Sequence, residues 1–316
     1  MFDIANEKDS GKKTYMIILL SVFLILASCG TAPGVRSSLS SAQSANASSW
    51  LDSVRWWDQG IQEPVRELVE ESSDQIAARV PKRSDPKIVV LMYHNIVFGR
   101  TGGEYNRDLY NFEHDLVFLR NRTQIIGLDE LPDIQAGRKK LDTDASIITF
   151  DDGDLSIYAI VFPLLKKYDI KAAFFVISDF VGTVGYVSWD QLREMSAYRN
   201  ARGEQLFSIG SHSLDHRRFD ELSADQIARE LSESKKAIET RIGAPVRFFA
   251  LPFGAGAGRK EIIDTAKGYG YWGIRTSTPA VMKPETIDLF NIPAVYVSNE
   301  STDSLRQLVY ANLLGR

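Results

Sequence analysis

One cysteine, four histidines and no surplus of positive charge are what this 316-residue sequence has in short supply. The lone thiol, Cys29, excludes a disulfide within the chain. With 37 basic against 41 acidic residues and a net charge of −4 there is no electrostatic footprint for nucleic acid. The densest basic cluster, Gly137-Arg138-Lys139-Lys140, reads as a solvated loop. Long apolar runs are scarce too, and the one near the N-terminus, Tyr15 to Ala27, is too short to favour a membrane-spanning helix. What is present, 44% hydrophobic and 25% charged residues, is enough for one large core plus an appendage.

The apolar run follows Lys12 and Lys13 and ends in Leu26-Ala27-Ser28-Cys29. This pattern resembles the bacterial lipobox. It implies removal of a signal peptide, residues 1–28, and lipidation of Cys29, with the protein held on a membrane outside the cytoplasm. Residues 29–49 are small and polar and read as a flexible tether. Residues 50–85 carry Trp50, Trp56 and Trp57 and a helical stripe through Val65, Leu68, Val69, Ile76 and Val80. They are expected to form an accessory helical segment whose tryptophans pack it onto the main domain, with sugar stacking as the alternative.

From residue 86 to 316, strand-like runs alternate with helical ones. Strands are predicted at Ile88–Tyr93, Gln124–Gly127, Ser146–Phe150, Ala172–Ile177, Phe207–Ser211, Phe248–Leu251, Trp272–Arg275 and Ile292–Val297. Helical periodicity falls near 111–121, 155–168, 188–198, 223–241 and 258–267. It is clearest in the fourth, where Ser223 and Gln226 make a capping box and Ile227, Leu231, Ile238 and Ile242 share a face. Such alternation predicts an α/β fold with a mostly parallel sheet, whose six to eight strands could close as a barrel. Chemistry in these folds gathers at the carboxyl ends of the strands. Here those ends carry His94, Asp151 with Asp152, His212, and Pro252 to Gly254.

Adjacent carboxylates repel one another and resist burial, so Asp151 and Asp152 call for water, a cation or a shared proton. His212 and His216 are four residues apart, which on a turn of helix sets their Cβ atoms about 5–6 Å apart on one side, within reach of one metal ion. A carboxylate from another strand completes a three-ligand site with open positions, a hydrolytic arrangement. One aspartate would then hold the cation while the other takes a proton from the attacking water. One carboxylate and two imidazoles suit Zn²⁺, with Co²⁺ or Ni²⁺ as alternatives.

"TFDDG" at 149–153 and "SHSLDH" at 211–216 resemble the first two motifs of the polysaccharide deacetylases, and the resemblance runs from about Ile88 to Val297. It implies a distorted (β/α) barrel of about seven strands. The implied activity is metal-dependent removal of N-acetyl groups from an N-acetylglucosamine-containing glycan. Asp151 is then the base, and Asp152, His212 and His216 hold the metal. The family's third motif falls on "ALPFG", where Ala250 replaces the arginine that normally orients the base and the backbone N–H of Phe253 serves the oxyanion. Arg275 in "GIRTS" is read first as a structural ion-pair residue, with substitution for that arginine as the alternative. No histidine follows His216, so the general acid expected from the last motif is missing from its usual place. In this respect the chain resembles the circularly permuted poly-N-acetylglucosamine deacetylases, which assigns the acid to His94 in "VLMYHNI". His114 is left as a surface or packing residue, and Trp272 and Asp288 are the candidates for an otherwise unrecognised fourth motif. Two rival readings are a glycan-binding lipoprotein without activity and a metal-dependent O-acetyl esterase.

Overall fold

The computed structural model describes Gln75, residues 78–99 and residues 103–316. The signal peptide, Cys29, the tether and the three N-terminal tryptophans lie outside the described residues. The end of the accessory segment is described: Val80 is buried, Lys82 bridges to Thr143, and Arg83 Nε reaches Asp144 at 3.2 Å.

The strands in chain order are β1 Ile88–Tyr93, β2 Asn95–Val97, β3 Asn106–Asp108, β4 Gln124–Ile125, β5 Ala145–Phe150, β6 Ala172–Val176, β7 Phe207–Ser211, β8 Phe248–Ala250, β9 Gly273–Arg275, β10 Val281–Met282 and β11 Val295–Tyr296. The α-helices are α1 Leu109–Arg122, α2 Leu131–Gln135, α3 Phe162–Tyr168, α4 Trp189–Ala197, α5 Ala224–Ile242, α6 Lys260–Gly268 and α7 Thr302–Arg306. Strands β1 and β5 are buried at every residue, as continuous apolar runs covered on both faces should be, and they pair in parallel from Ile88–Ala145 to Tyr93–Phe150. The sheet runs β10-β1-β5-β6-β7-β8-β9, with β4 beside the foot of β5 and β11 beside the upper part of β1.

Residues 292–297 join the last strand to the first. Ile292 N donates to Ile274 O at 2.9 Å, Thr276 N to Ile292 O at 2.8 Å, and Val297 N to Met92 O at 3.0 Å. The sheet therefore curls into the expected distorted (β/α) barrel. Alternate strand residues divide between two cores: Val90, Ile147, Phe175 and Phe248 pack inward with Leu128 and Leu131, while Leu91, Ile148, Phe174 and Phe249 pack outward with the helices.

Two departures from the predicted elements have local causes. The helix expected at 155–168 begins as a wider π-type turn, Ile157–Val161, because Pro163 lacks an N–H and is accommodated only in the first turn of α3. The antiparallel β10 was not anticipated, since two residues carry no readable period. The capping box of α5 forms as predicted: Ser223 N donates to Gln226 Oε1 at 3.0 Å and Gln226 N to Ser223 Oγ at 3.4 Å.

A buried ion pair ties the two ends of the domain together. Arg107 donates to Asp115 through Nε at 2.8 Å and Nη2 at 2.6 Å, while Tyr93 Oη and Thr302 Oγ1 donate to the same carboxylate at 3.1 and 3.0 Å. Arg107 Nη1 also donates to Ser298 O at 3.1 Å. The strand that leads to His94 and the segment that follows β11 are thus fixed to one group.

Candidate active site

A cleft of about 410 Å³ opens at the carboxyl ends of the strands, lined among others by His94, Asp151, Asp152, His212, His216 and Phe253. The residues singled out from sequence therefore meet at one place. Their backbone is unusual. Of the five described non-glycine residues with positive φ, Asp152, Ser213, His216 and Phe253 belong to this site, and Asp169 closes α3. After β5 the chain takes two successive left-handed residues, Asp152 at φ 70° and Gly153 at φ 86°. A Cβ at Gly153 would lie 3.1 Å from the Val176 side chain, so only glycine fits this turn. The turn sends the two carboxylates to different partners.

Asp152 faces the histidines. Its Oδ1 lies 3.5 Å from Nε2 of both His212 and His216, and the two Nε2 atoms are 3.2 Å apart. His212 Nδ1 is 2.8 Å from the carbonyl oxygen of Ala250; a ring N–H donating there leaves the lone pair on Nε2. Burial, reinforced by Arg275 and by its neighbour His216, depresses the His212 pKa to about 3. Burial also lowers that of His216. Both rings are therefore neutral near pH 7, and their contacts with Asp152 are not ion pairs. Burial and the charge of Asp151 raise the Asp152 carboxyl to about 6, and its Oδ1 is buried without a hydrogen-bond partner. Three donor atoms converge on one point. Their separations match the edge of about 3.3 Å that a tetrahedral site has when its ligands lie about 2.0–2.1 Å from the ion. Asp152, His212 and His216 thus fit a divalent cation, and they form a group that can hold one.

Asp151 is engaged from below. Arg275 on β9, fully buried, donates through Nη2 to Asp151 Oδ2, while its Nη1 sits 2.7 Å from Met92 Sδ and its guanidinium lies over the Phe175 ring at 5.2 Å. Burial works to raise the Asp151 pKa, but the charge of Arg275 above all, with smaller contributions from His212 and His94 in the acidic range where the group titrates, outweighs it and holds the group below the usual aspartate value. Oδ1 of Asp151 is buried and accepts no hydrogen bond. Arg275 is thus an ion-pair residue, as first read, and its partner is Asp151.

His94 lies on the cleft wall at the end of β1, 8% exposed, its ring 4.9 Å from Tyr105 and 5.6 Å from Tyr296 between centroids. It points to the site and not to the core. Phe253, 57% exposed, stands over His216 at 4.5 Å between ring centroids. His114 packs against Tyr110 on α1, away from the cleft. The fourth-motif candidates do not reach the site. Trp272 lines a separate cavity with Asp129, Pro132 and Arg247, and exposed Asp288 accepts a hydrogen bond from Phe290 N. Glu104, Tyr105, Ser277 and Tyr296 complete the cleft and carried no sequence signal, because each reaches it from a segment without a motif.

The sequence profile of the polysaccharide deacetylases matches residues 138–274. YxkH of Bacillus subtilis (strain 168), which bears the family's name, is 27% identical over 271 residues, covering 85% of this chain and 88% of that protein. The poly-β-1,6-N-acetyl-D-glucosamine N-deacetylase of Staphylococcus aureus (strain MRSA252) is 28% identical over 167 residues, which is 50% of this chain and 56% of that relative. Among solved structures, IcaB from Ammonifex degensii superposes with a TM-score of 0.62 at 28% identity, covering 72% of this chain and 97% of that one. The Streptococcus pyogenes deacetylase PplD in complex with acetate shares the fold, with a TM-score of 0.62 at 21% identity over 71% of this chain and 99% of its own. A motif pair at the ends of β5 and β7, a profile match spanning both motifs and a common barrel agree that residues 138–274 are similar to the polysaccharide deacetylase domain.

Proposed function

We propose that the protein is a metal-dependent deacetylase that removes N-acetyl groups from an N-acetylglucosamine-containing glycan of the cell envelope or matrix, to which the lipobox at Cys29 would hold it. The observation that carries this reading is the convergence of Asp152, His212 and His216 beside a second carboxylate, Asp151, whose Oδ1 is unengaged. The kinship with a poly-N-acetylglucosamine N-deacetylase supports the choice of substrate class.

Asp152, His212 and His216 would hold the cation, which when bound supplies Lewis-acid polarisation and a more acidic water. Asp151, anionic because Arg275 pairs with it, takes the proton of the water that attacks the acetamide carbonyl. The Phe253 N–H donates to the oxygen that gains charge. His94, on the wall of the same cleft, gives a proton to the nitrogen as the carbon–nitrogen bond breaks, so that acetate and a free amine leave.

The test is acetate release from N-acetylated glucosamine oligomers by wild type and Asp151→Asn, before and after chelation. The reading expects activity that chelator abolishes and Zn²⁺ or Co²⁺ restores, and a loss of about 10²–10⁴-fold in the variant. Glycan binding without acetate would leave a binding protein. Release from O-acetylated sugars alone would make it an esterase.

A further inference from the structure

We propose that Glu230, on α5, is a positioning residue for the metal donors: its carboxylate holds the loop carrying His212 and His216 in the backbone conformation that turns both Nε2 atoms toward Asp152. The inference deepens the metal reading above and rests on it. Glu230 itself lies behind the loop, outside the cleft.

The loop from 211 to 216 is costly to form. Ser213 has φ 71° and His216 φ 65°, conformations that are strained for a residue with a side chain and persist only when the surroundings impose them. Part of that imposition is local. Ser211 Oγ accepts from Ser213 N at 3.2 Å, and Ser213 Oγ accepts from His216 N at 2.9 Å. The carbonyls of the loop are held from the neighbouring strand end, where Ser178 N donates to Ser213 O at 3.1 Å and Asp179 N to Leu214 O at 3.0 Å.

Its N–H groups are held from the opposite side by Glu230. Leu214 N donates to Glu230 Oε2 at 2.9 Å, and the Asp215 N–H also hydrogen-bonds the carboxylate. Glu230 is only 4% exposed. A buried carboxylate is unfavourable unless its lone pairs are satisfied, and here the loop's N–H groups work against burial and the nearby Asp215 carboxylate, which together raise the Glu230 pKa. The residue type matters because a carboxylate accepts with both oxygens, whereas glutamine would present an NH₂ to an N–H. One helical turn on, Ser234 Oγ lies 2.8 Å from Ser211 Oγ, so α5 grips the loop at its tip and at its base.

The test is Co²⁺ titration of the full chain, followed by visible absorption and calorimetry, for wild type, Glu230→Gln and Glu233→Gln. Glu233 is exposed on the same helix and pairs with Arg229, so its variant should match wild type. Glu230→Gln should bind Co²⁺ about 10–100-fold more weakly. Its acetate release should return toward the wild-type kcat once Co²⁺ is saturating, which a general loss of structure would not allow. Unchanged Co²⁺ affinity in a folded Glu230→Gln overturns the inference. If that variant does not fold, amide exchange in the wild type decides: slow exchange at Leu214 and Asp215 supports the clamp, and fast exchange overturns it. A wild type that takes up no Co²⁺ overturns the metal reading itself and the inference with it.

Discussion

Arg275 and Asp151 meet inside the barrel although 124 residues separate them, the guanidinium from β9 reaching the carboxylate at the end of β5. The pair is buried at both ends. A carboxylate next to a fixed cation is anionic over most of the pH range and has one oxygen committed, which in the proposed mechanism leaves the other for the attacking water.

Replacing Arg275 by methionine keeps most of the volume and removes the charge. The Asp151 pKa should rise, because the burial that opposes its ionisation is then unopposed by the nearest cation. The acidic limb of the pH–rate profile should therefore move to higher pH, each unit costing about tenfold in activity below the limb. A profile whose acidic limb stays in place would remove Arg275 from the mechanism.

His94→Asn should cost about 10²–10⁴-fold in kcat, the loss expected of the group proposed to protonate the departing amine. Co²⁺ affinity should be unchanged, because His94 is not among the converging donors. Loss of metal with this variant would reassign the histidine.

Arg107→Ala leaves Asp115 buried without its bidentate partner, and stability should fall by about 3–5 kcal/mol. Chemical denaturation of the metal-free protein measures it. The damage should not stay local, because Tyr93 and Thr302 share that carboxylate.

Glu130 gives a pH dependence remote from the cleft. Burial alone would raise its pKa, but hydrogen bonds from Lys139, Lys171 and the Gly127 N–H outweigh it, and the net shift is downward. A carboxylate with a lowered folded pKa contributes stability that is present above its unfolded value of about 4.3 and is lost as pH falls through the folded one. Wild type should therefore exceed Glu130→Gln by about 1–3 kcal/mol at neutral pH, and the gap should close on acidification below about pH 4. Paired thermal melts across that range would show it, and a constant gap would contradict it.

The barrel was legible because its strands are long apolar runs, and the convergence of Asp152, His212 and His216 because an aspartate pair follows one strand and a histidine pair another. His94 was legible only through the motif order. Arg275 was read as an ion-pair residue without its partner, because "GIRTS" does not say that its third residue points into the lumen toward another strand's end. Tyr105, in a turn, and Tyr296, at the end of β11, went unread, since such an aromatic gains its role from where the curled sheet brings it. Glu230 looked like one more polar residue of an amphipathic helix, because its partners are backbone amides and leave no trace in side-chain pattern.

The stitching of residues 292–297 between β9 and β1 makes the sheet a closed circuit, with β1 flanked by β11 on one side and β5 on the other. A circuit has no privileged first member. The proton donor of the proposed reaction can sit ahead of the aspartates or behind the histidines in the gene and still arrive at the same wall of the cleft. Sequence position is then a poor guide to which proteins of this architecture have lost the donor, and the seam between first and last strands is where to look for it.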